Sequence, residues 1–242
     1  MNLYSKYDLI YLPIAFIVML IITTASYFLL RRRGENIKRI PFIIIAALML
    51  SLEVYKQIEN FKLESLNLYW LPLHYCSLFF LFIPLAEFTR GRFREYFKAV
   101  SFSAALTVSI FFYIAPQCIL GRSTERMFEE FFYFHSFLFH NLIILYVMLS
   151  IALGSYRYRR GDFLRVFLLF FGYCIIAIPM SHILNTNYCN FLFTIIKPLE
   201  YVRVNCGQLI YSLIFLFGIP LGTATVGYGY GKIRSALNER LK

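Results

Sequence analysis

The sequence predicts an all-α polytopic membrane bundle of seven transmembrane helices, with the N-terminus outside and the C-terminus in the cytoplasm. Three observations carry this expectation. The chain is 60% hydrophobic and only 15% charged, against roughly 25% charged in a soluble domain. Apolar runs of bilayer-crossing length, roughly 17–25 residues, recur along its whole length. Basic residues gather in the connections on one side of those runs.

The runs are Leu9–Leu30, Ile40–Ile58, Tyr69–Ala86, Phe97–Pro116, Phe131–Leu153, Phe163–Leu184 and Gly207–Gly227. An eighth apolar piece, Phe191–Ile196, is too short to span and either lies on the surface or re-enters the bundle. Between the runs, Arg31, Arg32, Arg33, Lys38 and Arg39 follow the first, and Arg90, Arg92, Arg94 and Lys98 follow the third. Arg157, Arg159, Arg160 and Arg165 follow the fifth, and Lys232, Arg234, Arg240 and Lys242 follow the seventh. Only Lys6, Lys62, Arg122, Arg126, Lys197 and Arg203 fall on the other side. The rich side is cytoplasmic by the positive-inside rule. No cleavable leader is expected, because the first apolar run is long and its basic cluster follows it. No linker or repeat divides the chain, so residues 1–242 are expected to form a single domain.

The net charge of +11 would suggest nucleic acid in a soluble protein. Here the charge sits in short connections, without the extended basic face that such binding needs. Anionic lipid headgroups at the cytoplasmic loops are the expected partners. The 27 Phe and 19 Tyr suit lipid-facing positions and membrane interfaces. The five cysteines form no CxxC pair, and no cofactor motif is evident.

Ionisable residues inside a membrane are costly, so each is a functional candidate. At about 1.5 Å per residue, Glu53 lies roughly 8 Å and Cys76 roughly 10 Å below the outer face. His135 and His140 lie roughly 6 and 13 Å deep by the same rise. His74 falls between them, and His182 sits near the outer end of the sixth run. The inner half shows no comparable set, so an outward-opening pocket is expected. On a regular helix His74 and Cys76 lie about 200° apart, which makes His140 the better partner for a nucleophilic thiol. Cys76 also reads as a small buried apolar residue. Glu53 either pairs with Lys56 along its own helix or orients a histidine. A zinc site drawn from the same residues lacks an i, i+4 histidine pair, and no metal is expected. Asn187 and Lys197 belong to a polar outer segment that could fold over the pocket and offer amide donors. Cys189 and Cys206 flank it, and a disulfide between them is one expectation.

The run Leu71-Pro72-Leu73-His74-Tyr75-Cys76-Ser77 resembles the LPLHLCS-type motif of the bacterial YwaF-like integral membrane proteins. Glu53 with Gln57, the span from Phe131 with His140, and Thr186-Asn187-Tyr188 followed by Lys197-Pro198 match the order of that family's other motifs. The family is similar to the eukaryotic transmembrane-protein-164 acyltransferases, which remodel ether phospholipids and use a cysteine. The resemblance implies a bacterial cytoplasmic membrane location, Cys76 as nucleophile and His140 as base. The chain departs from the pattern after Lys197-Pro198, where Arg203-Val204-Asn205-Cys206-Gly207 stands in place of a Trp-Pro-Trp-type element.

The resulting expectation is a lipid acyltransferase or acyl hydrolase with membrane lipid as substrate and solvent. Its catalytic residues would be Cys76, His140 and Glu53, and its substrate-binding residues His74, His135, His182, Asn187 and Lys197. The alternative is a transporter or small-molecule-binding protein that uses the same pocket without catalysis. In a third reading the polar residues only glue helices together.

Overall fold

The structure is a computed structural model that describes residues 3–63, 66–121 and 123–240. Arg122 and Lys242, counted above toward the charge asymmetry, lie outside the described residues. All regular structure among the described residues is helical. The main helices are α1 (Asp8–Leu30), α2 (Ile40–Phe61), α3 (Phe79–Phe88), α4 (Gly91–Ile114), α5 (Phe131–Leu153), α6 (Asp162–Ile183), α7 (Lys197–Cys206) and α8 (Gln208–Arg240). Five of them, α1, α4, α5, α6 and α8, are long and apolar enough to cross a membrane.

Local chemistry sets the helix ends. Before α1, Ser5 Oγ accepts from the Asp8 N–H at 3.1 Å and Asp8 Oδ2 accepts from the Ser5 N–H at 2.7 Å. That reciprocal pair closes the turn as a capping box does. Asp8 also accepts from Gln117 and Thr124 and is wholly buried. At the other end of the bundle, α5 stops at Gly154, whose φ of +66° belongs to the left-handed region. The Gly154 and Ser155 N–H groups both return to Ser150 O, so a residue without Cβ ends the helix.

Helices α4 and α5 form the centre of the bundle, and α1, α6 and α8 lie around them with most of their surface outward. Large aliphatic side chains such as Leu29 and Ile183 point away from the protein, as expected where the solvent is lipid. The middle of α4 is rich in small residues, including Ala99, Ser101, Ser103, Ala104 and Ala105, all buried. Small residues let helix backbones approach closely where lipid gives no hydrophobic drive to association. On α2 the buried residues are Phe42, Ile45, Ala46, Met49, Glu53, Lys56 and Asn60. Their i, i+3, i+4 spacing makes one stripe, apolar toward one end and polar toward the other.

The third expected span differs from the sequence expectation. Residues 69–86 are not one helix. A 3₁₀ turn at Leu68–Trp70 gives way to irregular chain, a second 3₁₀ turn at Cys76–Leu78, and then α3, only ten residues long. The cause is Pro72: the residue before a proline is pushed out of helical geometry, and Leu71 is extended at φ −61°, ψ 150°. The regular-helix premise that separated His74 from Cys76 therefore does not hold. Neighbouring helices satisfy the freed carbonyls. Gln57 Nε2 donates to Trp70 O at 2.8 Å, Tyr173 OH to Leu73 O at 2.8 Å, and Tyr188 OH to Leu68 O at 2.5 Å.

The short apolar piece at 191–196 is buried at Phe191 and Thr194 and exposed at Phe193. Phe191 is fully buried and packs with Cys174, Ala177, Ile178 and Tyr188. Asn185, Cys189 and Asn190 just before it take positive φ.

A Cβ at Gly227 on α8 would lie 2.2 Å from Ser103 Oγ and 2.9 Å from Ser103 Cβ on α4. Gly227→Ala is expected to lower stability by about 1–3 kcal/mol, the usual cost of overpacking, in thermal unfolding of detergent-purified protein. Adding Ser103→Gly should recover most of the loss.

Candidate functional site

The polar end of the α2 stripe supplies the first part of the site. Glu53 is 3% exposed and Lys56 4%, and their Oε1 and Nζ atoms are 2.8 Å apart. Gln57 Nε2 donates to the same Oε1 at 2.8 Å as well as to Trp70 O. The second oxygen, Oε2, turns the other way and lies 3.8 Å from His135 Nε2. Neither of those two atoms has a hydrogen-bond partner. The intrahelical pairing of Glu53 with Lys56 is present, and the second carboxylate oxygen faces a histidine without a hydrogen bond to it. That histidine is His135, not His140.

Helix α5 supplies His135 and His140, both buried. His140 Nδ1 lies 2.6 Å from Ser136 O, one turn back on its own helix. A carbonyl only accepts, so Nδ1 carries the hydrogen and Nε2 holds the lone pair of the neutral ring. That Nε2 is buried and has no partner. The ring is held flat against Phe112 of α4, with centroids 6.1 Å apart. His135 stacks on Phe139 at 5.2 Å.

The broken third span supplies His74 and Cys76. His74 Nε2 sits 3.1 Å from Tyr69 O, and its ring meets those of Tyr69 and Tyr188 edge to face. The Lys56 ammonium is close enough to act electrostatically on His74, His135 and His140, and His140 on both other histidines. Cys76 is half-buried against the main core. Its electrostatic neighbour is Cys189. The Cys189 sulfur accepts the Tyr75 N–H at 2.7 Å and lies 3.0 Å from Tyr173 OH.

The other expected site residues do not converge here. Asn187 spends its side chain on its own segment: Nδ2 donates to Phe193 O at 3.0 Å, and Oδ1 accepts from Leu192 N at 2.9 Å. His182 and Lys197 are exposed. Cys189 and Cys206 are free, the first turned inward and the second exposed. On α7, Arg203 Nε donates to Glu200 Oε1 at 2.9 Å and Thr194 N to Glu200 Oε2 at 3.1 Å. Arg203 first, then the Thr194 amide, hold the Glu200 carboxyl below the usual range. Among the described residues no three His, Cys, Asp or Glu side chains are grouped to hold a metal ion.

Three buried carboxylates, Asp8, Glu87 and Asp162, escaped the sequence reading. Asp8 had a signal in Ser5-Lys6-Tyr7-Asp8, the spacing of a capping box. Glu87, 1% exposed, lies at the end of α3 with Arg39 Nε 3.3 Å from its Oε2. It lies just past the expected run Tyr69–Ala86, where hydropathy gives no sign of burial.

This architecture, all-helical among the described residues with five helices long and apolar enough to cross a membrane, defines a multi-pass membrane protein. The sequence profile of the TMEM164 family matches residues 3–223. The chain therefore belongs to the TMEM164 family. No curated protein and no solved structure gives a match.

Breaking the buried ion pair from one side strands a charge. Glu53→Gln should cost about 3–5 kcal/mol of stability, while Glu53→Gln combined with Lys56→Met should restore most of it. Thermal unfolding of the two variants in detergent checks both outcomes.

Proposed function

We propose that this protein is a membrane-embedded lipid acyltransferase or acyl hydrolase working from the outer leaflet, with Cys76 as nucleophile and His140 as general base. The observation that carries the reading is the state of His140: one ring nitrogen is committed to Ser136, and the other is buried with a free lone pair. A base needs that unshared nitrogen. The irregular chain around Pro72 brings His74 and Cys76 onto a segment that α2, α6 and the outer loop all grip. Membership of the TMEM164 family and the motif resemblance support the same chemistry.

In the first step the Cys76 thiol gives its proton to His140 Nε2, and the sulfur attacks an ester carbonyl of a phospholipid. The ester C–O bond breaks, the departing alkoxide takes the proton from His140, and an acyl thioester remains on Cys76. A lysolipid hydroxyl or water then loses its proton to His140 and attacks the thioester. The thiolate leaves and recovers that proton. Lys56, held in the cluster by Glu53, is the nearby cation for the oxyanion formed in each step. His135, facing Glu53 Oε2, serves the arrangement from behind. His182 and Lys197 lie near the outer face for the headgroup, and Asn187 shapes the loop above.

The same reading has α2 and the 69–88 segment complete seven crossings, with the N-terminus outside a bacterial cytoplasmic membrane. In that arrangement 17 of the 24 basic residues lie on the cytoplasmic side, as the positive-inside rule favours. One observation favours the transport reading instead. Buried Glu87 at the basic-rich end, with buried Ser101, Ser103 and Thr107 along α4, gives the inner half polar groups that an exit path would use.

Incubating purified protein with phospholipid vesicles should produce an acyl adduct on Cys76, labile to hydroxylamine, seen by intact-protein mass spectrometry. Cys76→Ser should abolish it, and His140→Ala should slow it by about 10²–10⁴-fold. Unchanged turnover in both variants rejects the assignment, and proton-driven solute uptake without a lipid product would favour transport. For the topology, an impermeant maleimide added outside spheroplasts should label Cys206, the exposed thiol next to the outer loop. Labelling only after permeabilisation reverses the orientation.

A further inference from the structure

The start of α2, the end of α3, the start of α4 and the end of α5 meet at the basic-rich end of the bundle. Glu87 sits at their junction, almost completely buried. Three cations surround it. Arg39 Nε is 3.3 Å and Arg94 Nη2 3.9 Å from its Oε2. Lys98 acts on it electrostatically while donating to Ser155 O at 3.2 Å. Asp162 answers Arg165 at 3.1 Å, and Glu95 answers Arg159 at 2.7 Å while also acting on Lys98. Two carboxylates, Glu87 and Glu95, therefore face four cations, Arg39, Arg94, Lys98 and Arg159.

Two buried atoms in this cluster lack a hydrogen-bond partner, and their needs are opposite. Glu87 Oε1 requires a donor and Arg94 Nε requires an acceptor. The Arg39 and Arg94 side chains stay partly open, 24% and 29% exposed, so the cluster is reachable from the membrane surface. The 24-residue helix α4 begins here, and its N-cap, Arg90, makes no side-chain cap. Its free N–H groups add positive character at the same place.

We infer that the cluster of Arg39, Glu87, Arg94 and Lys98 is a binding site for an anionic phospholipid whose headgroup carries a free hydroxyl. The phosphate accepts from Arg94 and Arg39, where guanidinium geometry suits it. The headgroup hydroxyl donates to Glu87 Oε1. A phosphate alone satisfies the arginines and leaves the buried carboxylate oxygen without a donor. The helix ends put the site at headgroup level on the membrane face opposite the His140 cluster. The inference stands apart from the acyl-transfer proposal and does not depend on it.

Native mass spectrometry of detergent-purified protein tests it with three lipids of matched acyl chains: phosphatidylglycerol, phosphatidylmethanol and phosphatidylcholine. Phosphatidylmethanol carries the same charge as phosphatidylglycerol but no hydroxyl. Phosphatidylglycerol should be retained about tenfold more tightly than either of the others, the scale of one hydrogen bond to a charged group. Arg94→Gln should weaken its retention by about tenfold. Equal retention of phosphatidylglycerol and phosphatidylmethanol, or no effect of Arg94→Gln in a variant that melts normally, overturns the inference. Free glycerol phosphate that displaces the lipid at matched concentration assigns the site to a soluble phosphate and overturns it too. If Arg94→Gln does not fold, Lys98→Gln is read instead, since it leaves both arginine contacts with Glu87 in place; unchanged retention there counts against the site.

Discussion

A backbone that leaves helical geometry inside a bilayer must find a partner for every peptide group it frees, because lipid offers none. The stretch from Leu68 to Leu78 leaves helical geometry among packed helices, and its freed backbone groups find partners on the elements around it. Pro72 breaks the span. Gln57 on α2, Tyr173 on α6 and Tyr188 in the outer loop then reach in to take up carbonyls. The Cys189 sulfur receives the Tyr75 amide. The loop carrying Tyr188 and Cys189 is thereby pinned to the 68–78 segment, and Phe191 is buried beside it with Cys174, Ala177, Ile178 and Tyr188.

That demand also shapes the polar cluster. Gln57 divides its amide between Trp70 O and Glu53 Oε1, so the hydrogen bond that stabilises the broken span also orients the carboxylate beside Lys56. Glu53 is left with one free oxygen toward His135. On the next turn of α5, His140 bonds back to Ser136 and leaves Nε2 free. Buried atoms without partners are rare in folded proteins. Among the described residues, Glu53, His135 and His140 each carry one such atom, as do Glu87 and Arg94.

Most of the long helices were legible because their signals are local. Phe131–Leu153 is the same in sequence and structure, α1 differs from its expected run by one residue, and α6 is displaced by one at each end. Apolar length, a capping box at Ser5 and Asp8, and Gly154 beyond α5 suffice for these. The third span was not legible as drawn. Its composition is apolar throughout, and hydropathy does not register that a proline inside it has no neighbouring helix turn to continue. The site was legible in part. Spacing placed Glu53 with Lys56 on one face of α2 and put His135 and His140 on one helix. It did not reveal that Glu53 turns to His135, or that Asn187 is consumed by its own loop. Those outcomes depend on side chains from distant helices.

The sequence by itself determined the membrane class, the helical nature of the chain and the segregation of its basic residues. Each follows from properties summed along a short window: hydropathy, length and charge. Tertiary structure alone decided which polar atoms meet. It set the pairing of Glu53 Oε2 with His135, the grip on the Pro72 break and the burial of Glu87 among three cations. Such contacts join residues far apart in the chain, and their geometry depends on helix packing that no window of sequence contains.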